Sequence, residues 1–337
     1  MYKTLLINIL MLISFLSQAQ KNDTKQVLAS WYNIENFFDI VNDPKTNDDE
    51  FTPDGKNEWT AERYQKKLKN ITRVFNEMGK PAIIGVCEIE NKSVVEDIAK
   101  TLGENNYSAV HYDSPDERGI DVAFIYDKNF VKVTSSEKIT VQLTNSKTKK
   151  PDYTRDILHV NAKVNGKTIH FYLNHWPSRR EGQKESDEKR VFAATQLMKN
   201  IEKVQSKNSN EQIIIMGDLN DYFDNNSIKT VLKASIVNDK TEAKSLYDIT
   251  QPLLAEGKGT YNFKGKWDML DHVITTGNLC GKQNKVWISD VDIFKADFML
   301  YFDKKEKENL PSRTYGGSYY FGGYSDHLPI SFKLNFN

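Results

Sequence analysis

The chain is poor in cysteine and has no net charge. Cys87 and Cys280 are the only two cysteines in 337 residues, too few for a disulfide framework or a cysteine-based zinc site. The sequence leaves their pairing open, although Cys87 lies in the apolar run IIGVC and has the pattern of a buried small residue. The 46 basic and 46 acidic side chains cancel, whereas proteins that hold long polyanions non-specifically usually carry a basic excess. Charge alone therefore does not favour tight nucleic-acid binding.

Long hydrophobic runs are missing after the N-terminus. Residues 1–19 place a lysine before an apolar run and end in the small-residue pattern SQA. This pattern predicts a secretory signal peptide that exports the chain to the periplasm or the extracellular space, and a buried N-terminal helix is the alternative. No later run approaches the roughly 20 apolar residues that a membrane span needs, so we expect a soluble mature chain with no membrane span.

Residues 20–337 show helix and strand patterns in alternation, without a repeat or a linker. Apolar side chains recur every three or four residues after Thr60 and predict a helix that ends at Gly79. The run AIIGVCEIE is short, continuous and β-branched, which is typical of a strand buried on both faces. Further elements are predicted as a helix near 93–102, strands at 120–126, 157–164 and 168–176, and a helix at about 186–203. The pattern predicts a single α/β domain with a mixed sheet or sheets and one antiparallel hairpin at Asn165-Gly166.

Six polar clusters lie at the ends of apolar runs. Buried carboxylates are costly unless a cation or hydrogen bonds compensate them, so an acid at the end of a core strand usually has a function. One such cluster has an ordinary explanation as a turn, a cap or a satisfied core histidine. Six of them at strand ends, where α/β sheets form clefts, indicate a site. The clusters are Asn33 and Glu35 in WYNIEN, Glu88 in VCEIEN, His175 in LNHWPSR, Asp218 and Asn220 in GDLND, Asp271 in WDMLD, and Asp326 with His327 in YSDHLP.

The order and spacing of these clusters resemble the endonuclease/exonuclease/phosphatase superfamily, which has the deoxyribonuclease-I-like fold. GDLN and SDHLP together carry the specificity, and the resemblance extends from Trp31 to about Leu334. The segments EFTPDG and RTYGGSYYFGGYSDH resemble the secreted bacterial branch. The resemblance implies a four-layer α/β sandwich, in which two mixed β-sheets pack face to face with helices on the outside. It also implies divalent-metal-dependent hydrolysis of a phosphoester.

The resemblance also implies a metal site. Mg²⁺ (or Mn²⁺) prefers oxygen ligands and binds through one or two carboxylates plus the substrate phosphate. Glu88 matches the principal metal ligand of the family, Glu35 would hold the same ion or a second one, and Asp326 would complete the metal shell.

The resemblance implies further roles for the polar residues of GDLND and NIEN. Asp218 matches the carboxylate that orients or deprotonates the attacking water, a role that needs only hydrogen-bond reach. Asn33 and Asn220 match the amides that hold the phosphate or the water.

The resemblance gives the two histidines different roles. His327 matches the histidine that contacts a non-bridging phosphate oxygen, with Asp271 as the acid that favours its charged form. His175 matches a second histidine of the nuclease-like members, which protonates the leaving oxygen or binds phosphate, and we name Asp121 as its acid partner. Arg155 matches a phosphate-contacting arginine of some relatives, and a surface ion pair explains it equally well.

The substrate has to be selected at the rim of the cleft. Trp176, Arg179 and Arg180 either stack on or clamp a substrate there, or they form a solvated loop with a packed indole. The aromatic run 315–324 is a further rim candidate. We expect a phosphodiesterase that hydrolyses DNA or RNA with little sequence preference and that needs no obligate protein partner. The alternatives are a hydrolase of small phosphoesters or of lipid and inositol phosphates, and a catalytically silent binding module.

Overall fold

The computed structural model of the protein describes residues 25–145, 148–238 and 240–337. The predicted signal peptide, residues 1–19, lies outside these ranges. None of the helices within them combines the length and the apolar character that crossing a bilayer requires.

Helices and strands alternate along the described residues. The α-helices are α1 (Ala61–Glu77), α2 (Lys92–Gly103), α3 (Asp187–Lys207) and α4 (Gln251–Ala255), and a π-helix covers Asn226–Leu232. Short 3₁₀ turns cover Asp49–Phe51, Gly277–Leu279 and Asp297–Met299. The strands are β1 (Lys25–Phe37), β2 (Ile83–Ile89), β3 (Tyr107–His111), β4 (Asp121–Asp127), β5 (Val131–Ile139), β6 (Leu143–Thr144), β7 (Pro151–Asp152), β8 (Ile157–Val164), β9 (Lys167–His175), β10 (Ile213–Asp218), β11 (Ser235–Ile236), β12 (Leu246–Asp248), β13 (Tyr261–Phe263), β14 (Lys266–Asp268), β15 (Asp271–Thr276), β16 (Val286–Ile293), β17 (Leu300–Asp303), β18 (Glu308–Pro311), β19 (Tyr315–Gly316), β20 (Tyr319–Tyr320) and β21 (Ile330–Phe336).

Two large mixed sheets form the centre of the fold. One has six strands in the order β16-β21-β1-β2-β4-β3, and the other has seven in the order β11-β12-β15-β10-β9-β8-β5. The six-stranded sheet has a central parallel pair, β1 with β2, and the seven-stranded sheet has two parallel pairs, β9 with β10 at its centre and β11 with β12 at its edge. The other neighbouring strands are antiparallel. The predicted sandwich of two mixed sheets is therefore confirmed. The expected hairpin joins β8 to β9, but further antiparallel hairpins join β13 to β14, β17 to β18 and β19 to β20, so the prediction of one antiparallel hairpin is wrong.

Three layers of buried apolar side chains hold the sheets and helices together. The first lies between the six-stranded sheet and helices α1 and α2, the second between the two sheets, and the third between the seven-stranded sheet and α3. Gly85 marks the close approach of the sheets, because a Cβ there would lie 2.8 Å from a ring atom of Trp31 and 3.1 Å from Leu173. Both cysteines are buried and free, so the question of their pairing is answered.

The helices begin where the sequence predicts, and polar side chains cap the first turns of α1 and α2. The hydroxyl of Thr60 accepts a hydrogen bond from the backbone N–H of Arg63 and so caps α1, and Asn91 caps α2 in the same way. Helix α3 is longer than predicted and ends at Lys207. The strands on either side of these helices carry the polar clusters at their ends.

Candidate active site

Five strands bring the polar clusters to one edge of the sandwich. In the seven-stranded sheet, Asp218 at the end of β10 pairs in register with His175 on β9 and with Asp271 on β15. In the six-stranded sheet, Asn33 on β1 lies in register with Cys87 on β2, next to Glu88. The alternation of side chains along a strand fixes which of these residues face the other sheet. The register therefore places residues from distant parts of the chain side by side.

Irregular backbone turns several of these side chains into the site. The β1–β2 register shifts after Asn33, and the β2–β4 register shifts after Cys87, which marks bulges at these strand ends. Glu35, Glu88 and Asn220 have positive φ angles of 53°, 63° and 51°. Such φ angles are uncommon and strained for a glutamate, and bulges of this kind redirect side chains near active sites.

The amide of Asn33 links two carboxylates from different sheets. Its Nδ2 donates to Asp218 Oδ2 at 3.0 Å and lies 3.3 Å from Glu88 Oε1. The second oxygen of Glu88 accepts the backbone N–H of Asn36, and the backbone N–H of Asn220 donates to Asp218 Oδ1. Asn33 therefore holds the carboxylates apart and in place, instead of offering its N–H groups to a ligand.

His327 is the base of a buried histidine–aspartate pair. Its Nδ1 lies 2.6 Å from Asp271 Oδ2, and the other oxygen of Asp271 accepts the indole N–H of Trp31 at 2.8 Å. Burial opposes a charge on the ring, but the neighbouring charges, Asp271 foremost, raise the pKa of His327 well above its ordinary value. The Nε2 of His327 lies 3.8 Å from Asp218. The ring is therefore a charged donor aimed at the centre of the site.

His175 has a different environment. Its Nε2 lies 3.8 Å from Glu88 Oε1 and 3.9 Å from Asp218 Oδ2, and its buried Nδ1 has no hydrogen-bond partner among the described residues. Burial, followed by the charges of Arg155 and Arg118, lowers the pKa of His175 well below its ordinary value. The imidazole is therefore neutral at physiological pH.

The predicted pairing of His175 with Asp121 is wrong. Asp121 Oδ2 lies 3.0 Å from His111 Nε2, and Oδ1 accepts hydrogen bonds from Ser114. His111 on β3 pairs with Ala123 on β4, and Asp121 is two residues from Ala123 on the same face of the strand. The strand pairing therefore delivers Asp121 to His111.

The oxygen atoms around Asn33 fit a hard divalent cation. Burial and then the charge of Asp271 raise the pKa of Asp218 to about 7, so the protein alone compensates this carboxylate incompletely. Glu88 and Asp218 share one amide, and both line the same cavity. Asp218, Asp271 and His327 also offer ligand atoms within 4.8 Å of one another, but Asp271 and His327 already bond to each other. Carboxylates with spare oxygen atoms suit Mg²⁺ or Mn²⁺.

Glu35 and Asp326 belong to an ion-pair network on one side of the site. Asp326 lines the cavity and lies 2.7 Å from Arg313 Nη2. Glu35 does not line it, because its carboxylate accepts the backbone N–H of Thr314 at 2.6 Å and lies 3.5 Å from Arg313 Nε. Burial and then the charge of Asp326 raise the pKa of Glu35 to about 7, while buried Lys67 opposes that rise. Asp326 thus shares the cavity with Glu88, whereas Glu35 does not line it.

The indole of Trp176 is buried, so its predicted contact with substrate is wrong. Trp176 is 1% exposed, donates from Nε1 to Asn174 and packs in the layer under α3. The period of two along β9 points His175 and Trp176 to opposite faces of the sheet. Only the backbone carbonyl of Trp176 serves the site, where it accepts hydrogen bonds from Arg155 Nη2 and Asn220 Nδ2.

Arg155 is buried, and all its guanidinium nitrogens are occupied. Nε and Nη2 donate to the backbone carbonyls of His175 and Trp176, and Nη1 lies 2.9 Å from Asp116 Oδ2. The surface ion pair considered as an alternative is wrong, because both partners of the pair are buried. Arg155 supports the chain around His175 from within the cavity wall.

The loop after Trp176 is tied to the GDLND segment. Arg179 Nε donates to the carbonyl of Asn220 at 2.6 Å, and its guanidinium lies 3.9 Å from the ring centre of Tyr222. Arg190 on α3 is fully buried and lies 2.8 Å from Asp221. Sequence reasoning did not find Arg190, although its four-residue distance from Ser186, whose hydroxyl it contacts, is a helix spacing.

One cavity of about 860 Å³ joins the principal site residues. Its lining includes His175, Asp218, His327 and Glu88. The aromatic run 315–324 does not line it, since Tyr320 packs under Arg63 of α1, so that rim prediction is wrong. The sequence missed the other lining residues that distinguish this cavity, namely Asp116, Arg118, Tyr153, Tyr222, Tyr261, Phe263, Asp268 and Arg313.

Comparison with solved structures shows a shared fold. An endonuclease/exonuclease/phosphatase family protein of Bacteroides thetaiotaomicron has a similar structure, with a TM-score of 0.58 and 14% identity over 94% of this chain and 99% of that one. The mannosyl-6-phosphatase Bt3783 of the same organism gives 0.55 and 16% over 91% and 99%. D. rerio TDP2, complexed with a single strand DNA product, gives 0.56 and 14% over 92% and 99%.

Two comparisons of the sequence itself give different results. No curated protein sequence matches the chain. The sequence model of the Endonuclease/Exonuclease/phosphatase family matches residues 28–335, which include every strand end of the candidate site. Members of this family are phosphoester hydrolases and generally use divalent metals. The chain belongs to the endonuclease/exonuclease/phosphatase family.

Proposed function

We propose that this protein is an exported, Mg²⁺- or Mn²⁺-dependent phosphodiesterase that hydrolyses DNA or RNA with little sequence preference. The observation that supports it most is the meeting of Glu88, Asp218 and the His327–Asp271 pair in one cavity. A carboxylate that takes a proton, a second that holds a cation and a charged donor are the groups that phosphoester hydrolysis needs. They approach one another from separate sheets, which an ordinary set of turns and caps would not require.

The groups divide the reaction between them. Asp218 accepts a proton from the attacking water as the new bond to phosphorus forms and the bond to the leaving oxygen breaks. His327 donates a hydrogen bond from Nε2 to a non-bridging oxygen, where negative charge develops. Glu88 would hold the metal, with Asp326 near it, and Asn33 keeps Glu88 and Asp218 apart. A bound Mg²⁺ or Mn²⁺ supplies Lewis-acid polarisation of the phosphoryl group.

Exposed aromatic side chains at the cavity favour nucleic acid over a sugar phosphate. Tyr153 and Phe263 are 50% and 55% exposed, and both line the cavity. Their free faces suit stacking with bases, which is tolerant of sequence. Since the net charge is zero, binding should depend on a few local arginines and weaken as salt rises.

A hydrolase of small phosphoesters is the second candidate. A mannosyl-6-phosphatase shares the fold over 91% of this chain, and Asp218 and His327 serve a monoester as well as a diester. The two candidates differ in what surrounds the phosphate, since a small substrate would leave the aromatic rim unused.

Hydrolysis assays separate the candidates. Supercoiled plasmid, total RNA, bis(p-nitrophenyl) phosphate and mannose 6-phosphate would be incubated with the purified mature chain and Mg²⁺ or Mn²⁺. We expect degradation of both polymers, its loss in excess EDTA and its recovery with added metal. Turnover of mannose 6-phosphate with intact polymers would establish the phosphatase instead, and full activity after chelation and dialysis would rule out metal dependence.

Export is tested on the full chain expressed in a Gram-negative host. We expect mature protein outside the cytoplasm with an N-terminus near residue 20. An uncleaved chain that stays in the cytoplasm would contradict the predicted signal peptide.

A further inference from the structure

The cations around the cavity are not equally neutralised. Lys189 lies 2.9 Å from both Asp152 and Glu181. Arg155 is paired with Asp116 at 2.9 Å, as described above. Arg179 lies 3.6 Å from Asp221 and covers Tyr222, and Arg313 pairs with Asp326. Among the described residues, Arg118 of the cavity wall has only a 3.8 Å contact with Asp116, a carboxylate that Arg155 already binds, and Arg180 has no ion pair.

Arg118 lines the cavity and makes only weak contacts. Its Nε lies 3.8 Å from Asp116, which already pairs with Arg155, and its Nη1 lies 3.5 Å from Asn36 Oδ1. Its Nη2 has no partner among the described residues. Burial, together with the charges of Arg155 and Arg180, lowers the pKa of Arg118 against the opposing charge of Glu88. Arg118 therefore lies in a crowded positive region with free N–H groups.

Arg180 is the second arginine of the cavity wall, and it has no partner among the described residues. It is exposed, lines the cavity and makes no hydrogen bond or ion pair with any described residue. Arg118 contacts Asp116, and Asp116 also pairs with Arg155. Arg155 donates to the carbonyl of Trp176, four residues before Arg180, so Arg118 and Arg180 belong to the same part of the cavity wall. Like charges that converge with free donors are stabilised when an anion lies between them.

Glu88 does not remove this excess charge when the enzyme works. Its Oε2 already accepts the N–H of Asn36, and the proposed function commits its charge to the metal. Arg118 is connected through Asp116 to Arg155, which donates to the carbonyl of His175, so the arginines lie on the His175 side of the cavity. The proposed function places the scissile phosphate between Asp218 and His327. An anion bound by Arg118 and Arg180 would thus be a neighbouring group of the substrate.

We infer that Arg118 and Arg180 form a second anion subsite, which binds a phosphate flanking the scissile one. This inference rests on the proposed function and narrows it. The substrates are phosphodiesters that carry at least one further phosphate, such as oligonucleotides, and an isolated diester binds less well. Guanidinium groups are suited to this role because they offer several N–H donors to phosphate oxygens.

Dinucleotides that differ by one phosphate test the subsite. The thymidine compounds TpT, pTpT and TpTp would be compared by kcat/KM with Mg²⁺. Wild type should prefer at least one of the two doubly phosphorylated compounds by about tenfold, the value of roughly one charge-assisted hydrogen bond. The doubly substituted variant R118A/R180A should reduce this preference to below about twofold, while R118K/R180K keeps part of it.

Lys163→Ala is the matched control, because Lys163 is an exposed cation on β8 away from the cavity. It should retain the wild-type preference, which separates a local subsite from a loss of overall charge. An equal kcat/KM for all three compounds in wild type, or an unchanged preference in R118A/R180A, would overturn the inference.

A binding measurement covers the case in which none of the dinucleotides is cleaved, a result that would refute the proposed function. Calorimetric titration with thymidine 3′,5′-bisphosphate in EDTA reports on the arginines without turnover. About tenfold weaker binding by R118A/R180A than by wild type, with unchanged circular dichroism, supports the subsite. Equal affinities would refute it.

Discussion

His327 and His175 lie in the same cavity, but their rings have opposite electrostatic surroundings. His327 has a buried carboxylate at 2.6 Å from Nδ1, and that carboxylate is itself held by Trp31. His175 has a bare Nδ1 and two arginines whose charges act on it. The pKa of His327 is raised above its ordinary value and that of His175 is lowered, although both rings are buried.

The different pKa values give His327 and His175 different chemical roles. A charged imidazole donates to a developing anion, whereas a neutral imidazole donates a hydrogen bond from one nitrogen and is a poor acid. We therefore propose that His175 binds or orients the substrate, because its lowered pKa does not support the alternative that it protonates the leaving oxygen. Residue type and strand-end position are the same for both, so the partner decides the role.

Breaking the His327 pair should have the largest effect. His327→Ala and Asp271→Asn should each lower kcat by about 10²- to 10⁴-fold, because each removes the charged donor. The double variant should be about as impaired as either single one, since the two residues act as a unit. Steady-state kinetics on plasmid DNA would show this, and multiplying effects would contradict the pairing.

Removing His175 should lower the activity less than removing His327 does. His175→Ala should lower kcat/KM by about tenfold, which corresponds to one lost hydrogen bond. The acidic limb of the pH profile should keep its position, because a neutral ring does not titrate there. A loss as large as that of His327→Ala, with a shifted limb, would show that His175 works as an acid.

Stability should depend on pH in opposite ways for the two rings. A raised pKa makes His327 stabilising below its unfolded pKa of about 6.5, and this contribution disappears as the pH rises through the folded pKa. A lowered pKa makes His175 favour unfolding as the pH falls below about 6.5, because only the unfolded ring takes up a proton.

Urea unfolding in EDTA between pH 5.5 and 9 measures both contributions, and His327→Gln and His175→Gln are the matched variants. The free energy of unfolding of wild type relative to His327→Gln should fall as the pH rises. Relative to His175→Gln it should rise up to about pH 6.5, by at most about 1.4 kcal/mol per pH unit. Parallel slopes would refute the assigned charges.

Asp121→Asn should have the smallest effect on turnover. Asp121 bonds to His111 and Ser114, so kcat should change by less than about threefold, while the free energy of unfolding falls by about 1–3 kcal/mol. Kinetics and urea unfolding of the same preparation measure both. A fall in kcat comparable with that of His175→Ala would restore Asp121 as a partner of His175.

Local pattern was sufficient for much of the fold. The three-to-four-residue spacing after Thr60 predicted α1, the apolar run ending in Glu88 predicted β2, and Asn165-Gly166 predicted the turn between β8 and β9. These elements depend on neighbours within a few residues, which the sequence shows directly. The six polar clusters were found by the same means, since each follows an apolar run.

The alternation of side chains along β9 also predicts where the indole of Trp176 lies. It places Trp176 opposite to His175, and this alone would have assigned the indole to the buried layer under α3. Arg118, in contrast, stands in the polar stretch SPDERG with no local signal, and only the tertiary structure brings it into the cavity wall, 3.5 Å from Asn36 Oδ1.

The sequence by itself determined the helices, the core strands and the set of polar residues at their ends, because these depend on periodicity and on chain-local turns. The tertiary structure decided which acid each histidine meets, which strand ends carry bulges and which arginines are left without a carboxylate. Asp271 and His327 are separated by 56 residues and Asn33 and Asp218 by 185. Contacts over such separations depend on strand order and register, and charge states depend on those contacts.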